Sequence, residues 1–302
     1  NPNPPALEAQ VRARLVRAYV EQGNTTAALS ELNAIDAIVG THPEYKSIKP
    51  EVDYSRAKIR SVTDRTPQAA VALLDRVAAQ YPTSAFGARA LLEAGVLLER
   101  HKLREDALER YRAVGRLYSG DPRVGPVALF RQAMLEEQTG NWDGAKRTLE
   151  TIPVKYPASQ AAAEAPITVA LRYLARKDRP AALAALSRAI VTYQELIAQD
   201  TTSAFTTAFR WNMLRCQLPL GKWEDALRTI DEMSAKDKGH PYTAQALLEG
   251  ARVAKGNRLP DRAAAYLKRY LDDYPSSPLA TQVRSEREKL LQEAGGTGPA
   301  KK

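Results

Sequence analysis

The sequence predicts an all-α chain built as a solenoid of stacked helix–turn–helix units, and three observations carry that prediction. A turn of the form Gly-x-aromatic-x-x-Ala recurs, most clearly at Gly140-Asn141-Trp142-Asp143-Gly144-Ala145 and Gly221-Lys222-Trp223-Glu224-Asp225-Ala226. Alanines at equivalent places in the flanking apolar pattern, Ala28, Ala70, Ala107, Ala145, Ala182, Ala226 and Ala263, are spaced by 42, 37, 38, 37, 44 and 37 residues. A junction of the form Tyr-Pro-x-Ser appears at Tyr81-Pro82-Thr83-Ser84, Tyr156-Pro157-Ala158-Ser159 and Tyr274-Pro275-Ser276-Ser277. A period near 34 to 40 residues in a helical chain marks supersecondary units that bury their apolar faces on one another.

Each element follows from local chemistry. In the first copy, Gly23-Asn24-Thr25-Thr26-Ala27-Ala28 is the same turn without the aromatic residue. Asn24-Thr25-Thr26 also matches a glycosylation acceptor, but Asn at a helix start is a cap, and capping is the expected role. The second copy has Asp64-Arg65-Thr66-Pro67 where a turn glycine belongs, with Thr66-Pro67 opening its second helix. The third has His101-Lys102-Leu103-Arg104 and is followed by a loosened junction, Tyr118-Ser119-Gly120-Asp121-Pro122.

The fourth copy is the clearest. Its first helix is predicted from Pro126 to Gln138, with Val127, Phe130, Ala133, Met134 and Glu137 on successive turns at the helical period. Gly140 ends it, because glycine takes the left-handed conformation without a Cβ penalty. The second helix carries Ala145, Leu149 and Ile152 on one face and stops before Tyr156-Pro157. The fifth copy turns at Lys177-Asp178-Arg179-Pro180, and the seventh has a longer turn over Gly256-Asn257-Arg258-Leu259-Pro260-Asp261. A last helix is expected from Pro278 to Glu293, with Ser277 as its cap and Pro278 at its first position. Its charged face, including Arg284, Glu286, Arg287, Glu288 and Lys289, suits a solvent-facing end.

The turns around Trp142 and Trp223, the alanines and the Tyr-Pro-x-Ser junctions resemble tetratricopeptide repeats, in particular the slightly long repeats of bacterial envelope proteins of the Tol–Pal and outer-membrane-assembly kind. The resemblance runs over about residues 6–294. It implies a right-handed solenoid of about seven repeats plus a C-terminal capping helix. The organisation read here is an extended Pro-rich segment at 1–5, the solenoid at 6–294 and a Gly/Lys-rich tail at 295–302. The chain opens on Asn1-Pro2-Asn3-Pro4-Pro5 without methionine, and removal of an export signal is the expected reason. That places the protein in the periplasm or outside the cell.

Chemistry-bearing constellations are few. Cys216 is the only cysteine and falls in a helical apolar pattern, as an inert buried thiol does. His42, His101 and His240 lie near turns and share no helical face, so no metal-ligand spacing arises. Nucleophile elbows, phosphate loops and dinucleotide fingerprints are absent from the sequence. Paired carboxylates such as Glu136-Glu137 and Asp272-Asp273 are expected on solvated faces. These readings point away from an enzyme and from any cofactor or metal.

The 44 Lys and Arg against 35 Asp and Glu give a net charge of +9. The signs alternate along the helices, as in Arg284-Ser285-Glu286-Arg287-Glu288-Lys289, so a nucleic-acid partner is not expected. No apolar run is long enough to cross a membrane. In tetratricopeptide folds the first helix of each pair lines a concave groove. The resemblance together with helical spacing puts Arg14, Arg56, Arg131 and Asn212 at equivalent groove positions, with Arg17, Arg89 and Arg215 beside them. Arginine grips carboxylates with two bonds, so the groove is expected to take an acidic or carboxylate-ended protein or peptide. The lysine–asparagine clamp of chaperone-binding domains is not reproduced. Phe130, Trp211 and Tyr54 are read as packing between repeats. The expected function is a non-enzymatic interaction scaffold. The competing expectation is a self-assembling subunit of a filament or homo-oligomer, associating through solenoid ends and tails, with residues 1–5 as a polyproline-like strand in a neighbour's groove.

Overall fold

The computed structural model describes residues 4–199 and 204–295. The terminal segments proposed for self-assembly lie largely outside these residues. Pro4 and Pro5, assigned above to an extended segment, instead open the first helix. Contacts divide the chain into two compact units, residues 1–148 and 149–302.

The first unit holds α1 (Pro4–Glu21), α2 (Thr25–Thr41), α3 (Lys49–Thr63), α4 (Gln68–Gln80), α5 (Ala85–Arg100), α6 (Arg104–Leu117), α7 (Gly125–Gln138) and the start of α8 (Trp142–Lys155). The second holds the rest of α8, then α9 (Gln160–Ala175), α10 (Arg179–Gln199), α11 (Thr206–Gln217), α12 (Trp223–Lys236), α13 (Pro241–Gly256), α14 (Pro260–Asp273) and α15 (Ala280–Gly295). No strand occurs among the described residues. The odd-numbered helices α1 to α13 begin pairs, hereafter A helices, and the even-numbered ones complete them as B helices. This gives seven pairs with α15 as the terminal helix. A short 3₁₀ helix, Pro43–Ile48, accounts for the long first spacing between alanines, and α10, 21 residues long, for the 44-residue one.

All seven signature alanines are 0 % exposed, so the repeat marks the helix contacts. The turns are more uniform than their sequences. Gly23, Gly140 and Gly221 take φ of 73°, 86° and 69°, and Lys102, Lys177 and Arg258 occupy the same region at 64°, 60° and 59°. In each of the last three, as at Gly140, the following amide reaches back five residues: Asn141 N to Glu136 O, Leu103 N to Leu98 O, Asp178 N to Tyr173 O and Leu259 N to Ala254 O. The third, fifth and seventh turns thus share the geometry of the Gly140 turn although lysine or arginine stands at the left-handed position, because two backbone hydrogen bonds close each turn. The second pair does depart, since Asp64 is extended at φ −83° and ψ 140°.

The capping expectations are met at several ends. Asn24 accepts from Ala27 N at 3.1 Å, Asn141 from Gly144 N at 3.0 Å, Ser84 from Phe86 N at 3.2 Å and Ser159 from Ala162 N at 3.1 Å. Two starts shift. Pro67 stands at the cap of α4, and α15 begins at Ala280, two residues beyond Pro278. Ser277 instead accepts from Leu279 N and shares a 2.6 Å hydrogen bond with the Tyr270 hydroxyl.

Candidate functional site

Successive A helices touch along each unit, α1 on α3 and α3 on α5 in the first, α9 on α11 and α11 on α13 in the second. Among the described residues α2 and α4, α4 and α6, α10 and α12, and α12 and α14 do not pack comparably, and clefts open on the B-helix side. Each unit thus has a close-set layer of A helices and a more open layer of B helices.

In the first unit the A helices carry five of the seven expected arginine and asparagine positions. Arg14 is exposed on α1 and makes no ion pair among the described residues. Arg17, one turn on, is 61 % exposed in its side chain while its Nε lies 3.1 Å from Glu51 Oε1. Arg56 on α3 is half-buried and donates to Asp36 Oδ2 at 2.8 Å and Asn33 Oδ1 at 3.3 Å. Lys49 also reaches Asp36, at 3.0 Å. Burial alone would raise the Asp36 carboxyl pKa, but the hydrogen bonds from Lys49 and Arg56 outweigh it and hold the pKa below its ordinary value.

Arg89 on α5 is exposed, its guanidinium 5.8 Å from the Phe86 ring centre. Phe86 in turn meets Tyr54 at 5.7 Å, and burial lifts the Tyr54 hydroxyl pKa to about 12. Arg131 on α7 donates to Glu99 Oε2 at 3.0 Å, the same oxygen that accepts from the Tyr111 hydroxyl at 2.6 Å. Burial and that bond raise the Tyr111 pKa.

The second unit departs from the groove assignment at Asn212, which is buried. Its Nδ2 donates to Ala163 O at 2.8 Å, and its Oδ1 accepts from exposed Arg215 at 3.0 Å. The cause is Pro166 inside α9, which removes an amide hydrogen and opens the helix. The Tyr193 hydroxyl fills the opening, donating to Ala163 O at 2.7 Å and accepting from Ile167 N at 3.2 Å. Asn212 completes this repair. Trp211 stacks on Tyr242 at 5.8 Å and 7°, which is contact between repeats, as read from sequence. Tyr54 likewise packs on its neighbour, whereas Phe130 is half-buried on α7.

Two carboxylates expected in solvent are not there. Glu136 is 4 % exposed and accepts from Arg112 at 3.1 Å, Gln132 at 3.0 Å and Thr148 at 2.9 Å. Gln217 and Thr229 repeat its link to the B helix, at 3.0 Å and with the same twelve-residue separation. Asp273 has a side chain 6 % exposed and holds Lys238 Nζ at 2.8 Å. Cys216 is buried, which pushes its thiol pKa up to about 12 and keeps it protonated. His240 caps α13 through Nδ1. Among the described residues no three potential metal-binding side chains come together, and no helix is long and apolar enough to cross a membrane.

Residues 127–159, which span most of the fourth pair and the junction after it, match the tetratricopeptide repeat family model. The structure is similar to the crystal structure of the apo form of RapI, with a TM-score of 0.54 at 10 % identity, covering 95 % of this chain and 85 % of that one. It is also similar to a tetratricopeptide repeat protein from Parabacteroides merdae (TM-score 0.43, 14 % identity, 93 % and 99 % covered) and to Pseudomonas aeruginosa PilF (TM-score 0.41, 17 % identity, 94 % and 100 % covered). No curated protein sequence matches the chain. The fourth pair is thus a tetratricopeptide repeat, and the chain resembles tetratricopeptide-repeat proteins in being an array of such pairs. Folds of this class serve as scaffolds for protein–protein interaction.

Proposed function

We propose that this protein is a non-enzymatic scaffold that binds an acidic protein or peptide on the A-helix layer of residues 4–148. The observation that carries the reading is the set of exposed guanidiniums on that layer, Arg14, Arg17 and Arg89. Arg56 and Arg131 stand with them, each anchored by a carboxylate and each keeping donors unused. An anchored guanidinium loses less side-chain freedom on binding, which favours bidentate capture of a carboxylate. The second unit carries one exposed guanidinium of its own, Arg215, held by Asn212. Export to the bacterial envelope belongs to this proposal and is supported by the resemblance of the Tyr-Pro-x-Ser junctions to envelope repeats.

The test is capture from an acidic peptide array by the wild-type chain and by a variant combining Arg14→Gln, Arg17→Gln and Arg89→Gln. These three are exposed, so the variant is expected to fold. Salt-sensitive capture that disappears in the variant is the expected result. Capture unchanged in the variant would move the site elsewhere, and fractionation of the native host tests the location.

A further inference from the structure

Each later pair packs one face of its A helix on the pair before it, and α1 carries the same face uncovered. Leu7, Val11 and Leu15 stand 21, 17 and 13 residues before the signature Ala28, one turn apart along one side of α1. In the six later pairs no residue at these three places is exposed. At the middle place Ala90, Ala128, Ala165, Phe209 and Ala246 are all buried. The preceding pair is what covers them. Phe86 meets Tyr54 of α3, and Tyr242 stacks on Trp211 of α11. Phe209 stacks on Tyr193 of α10 at 6.4 Å, and a Cβ added at Gly250 would lie 3.2 Å from Ile230 of α12. Lys49, at the first place in the second pair, reaches Asp36 of α2.

Among the described residues no pair precedes α1, and Leu7 is 48 %, Val11 46 % and Leu15 39 % exposed. Leu29, directly after the signature alanine on α2, is exposed as well, whereas the residue at that place is buried or half-buried in the six later pairs. An array end that meets water carries a polar outer face. The other end does so, with Arg284, Glu286, Glu288 and Lys289 exposed on α15. The α1 face is therefore built as an interface and not as a cap. Charge beside its stripe is one-sided. Glu8 on one flank is spent on Arg12, at 2.8 Å. Arg14 on the other flank is exposed and makes no ion pair among the described residues.

We infer that the outer face of α1 docks an amphipathic helix of a partner protein, its apolar stripe along Leu7, Val11 and Leu15 and its acidic residues beside Arg14. This helix takes the place that a preceding B helix holds in the later pairs. A second copy of this chain fits less well. An antiparallel contact between two α1 helices centred on Val11 puts both Arg14 side chains on the same side of the seam, where like charges repel. The inference shares Arg14 with the A-helix reading but rests on the apolar face, which that reading does not use.

The experiment is fluorescence anisotropy on the full chain with a labelled, designed helix as long as α1, at 18 residues, bearing leucine along one stripe and glutamate along one flank. Saturable binding is expected, weakened about tenfold or more by Val11→Gln combined with Leu15→Gln. Arg14→Gln, or lysine in place of the glutamates, should weaken it about threefold. Hydrogen exchange should place the protection on α1. Val11 and Leu15 lie outside the A-helix arginine set, so their double variant should still capture extended acidic peptides, which reads failure here apart from failure of that set. Binding unchanged in the double variant, protection away from α1, or no saturable binding at millimolar peptide would overturn the inference. Insensitivity to both charge exchanges would overturn the acidic assignment. A dimer of the wild-type chain that the double variant converts to monomer would give the face to a second copy and overturn the choice of occupant.

Discussion

Replacing Gly95 by alanine should destabilise the first unit, against the usual direction. In a helix interior, glycine to alanine normally gains roughly 0.5–1 kcal/mol, because the unfolded chain loses freedom and the helix gains propensity. Gly95 lies in the middle of α5, so propensity alone predicts stabilisation. A Cβ built there, however, would sit 2.6 Å from Tyr111 Cε1, 2.9 Å from Cδ1 and 3.2 Å from Cζ. These are atoms of a ring that is 0 % exposed and whose hydroxyl is tied to Glu99 at 2.6 Å, so the ring cannot swing away freely. Overpacking of this kind costs about 1–3 kcal/mol, and because the clash at 2.6 Å is with a tethered, buried ring the cost lies toward the upper end, leaving a net loss of up to about 2.5 kcal/mol after the propensity gain. Thermal unfolding followed by circular dichroism should show a drop of about 2–4 °C per kcal/mol. Hydrogen exchange should locate the loss in α5 and α6. Tyr111→Leu removes the obstacle, so in that background Gly95→Ala should become neutral or stabilising, leaving a coupling of about 1 kcal/mol or more. Stabilisation by Gly95→Ala in the wild type, or an unchanged effect in the Tyr111→Leu background, would refute the packing argument.

Other outcomes follow from the same contacts. Lys102→Gly should stabilise by about 0.5–1 kcal/mol, since an L-residue at φ 64° carries strain of about 1–2 kcal/mol that glycine relieves at some entropic cost; urea midpoints test this, and destabilisation would contradict it. Tyr193→Phe should cost about 1–3 kcal/mol by leaving Ile167 N–H without its acceptor at the Pro166 opening, with α9 amides exchanging faster; unaltered exchange there would count against the repair role. Asp36 has a lowered folded pKa, so its contribution to stability is present above the ordinary carboxylate value of 3.8 and is lost as pH falls through the folded value. Asp36→Asn should therefore lower stability near neutrality and flatten the acid limb of the stability curve, whereas an acid limb unchanged by the substitution would show that other carboxylates dominate it.

The repeat was legible because its marks are local. An alanine at a helix crossing, a left-handed residue after a helix and an Asn or Ser at the next start act within five residues of chain. At Lys102, Lys177 and Arg258 the sequence marks the turn but not its left-handed residue, which backbone hydrogen bonds hold in place without glycine. The groove positions fared less evenly. An A helix is flanked by its own B helix and by neighbouring pairs, so helical spacing ranks faces without saying which one stays open. Asn212 shares its nominal place with Arg14, yet Pro166, 46 residues earlier, draws its amide into the interior.

Residue pattern alone therefore established an all-α repeat array, its pairing, most of its caps and the burial of Cys216. It could not tell that Glu136 is interior or that Arg17, Arg56 and Arg131 are each anchored. Those facts depend on partners 20 to 40 residues away, brought together by packing whose geometry no short-range rule encodes. A charge is written in the chain, but whether it is spent depends on which helix comes to lie against it.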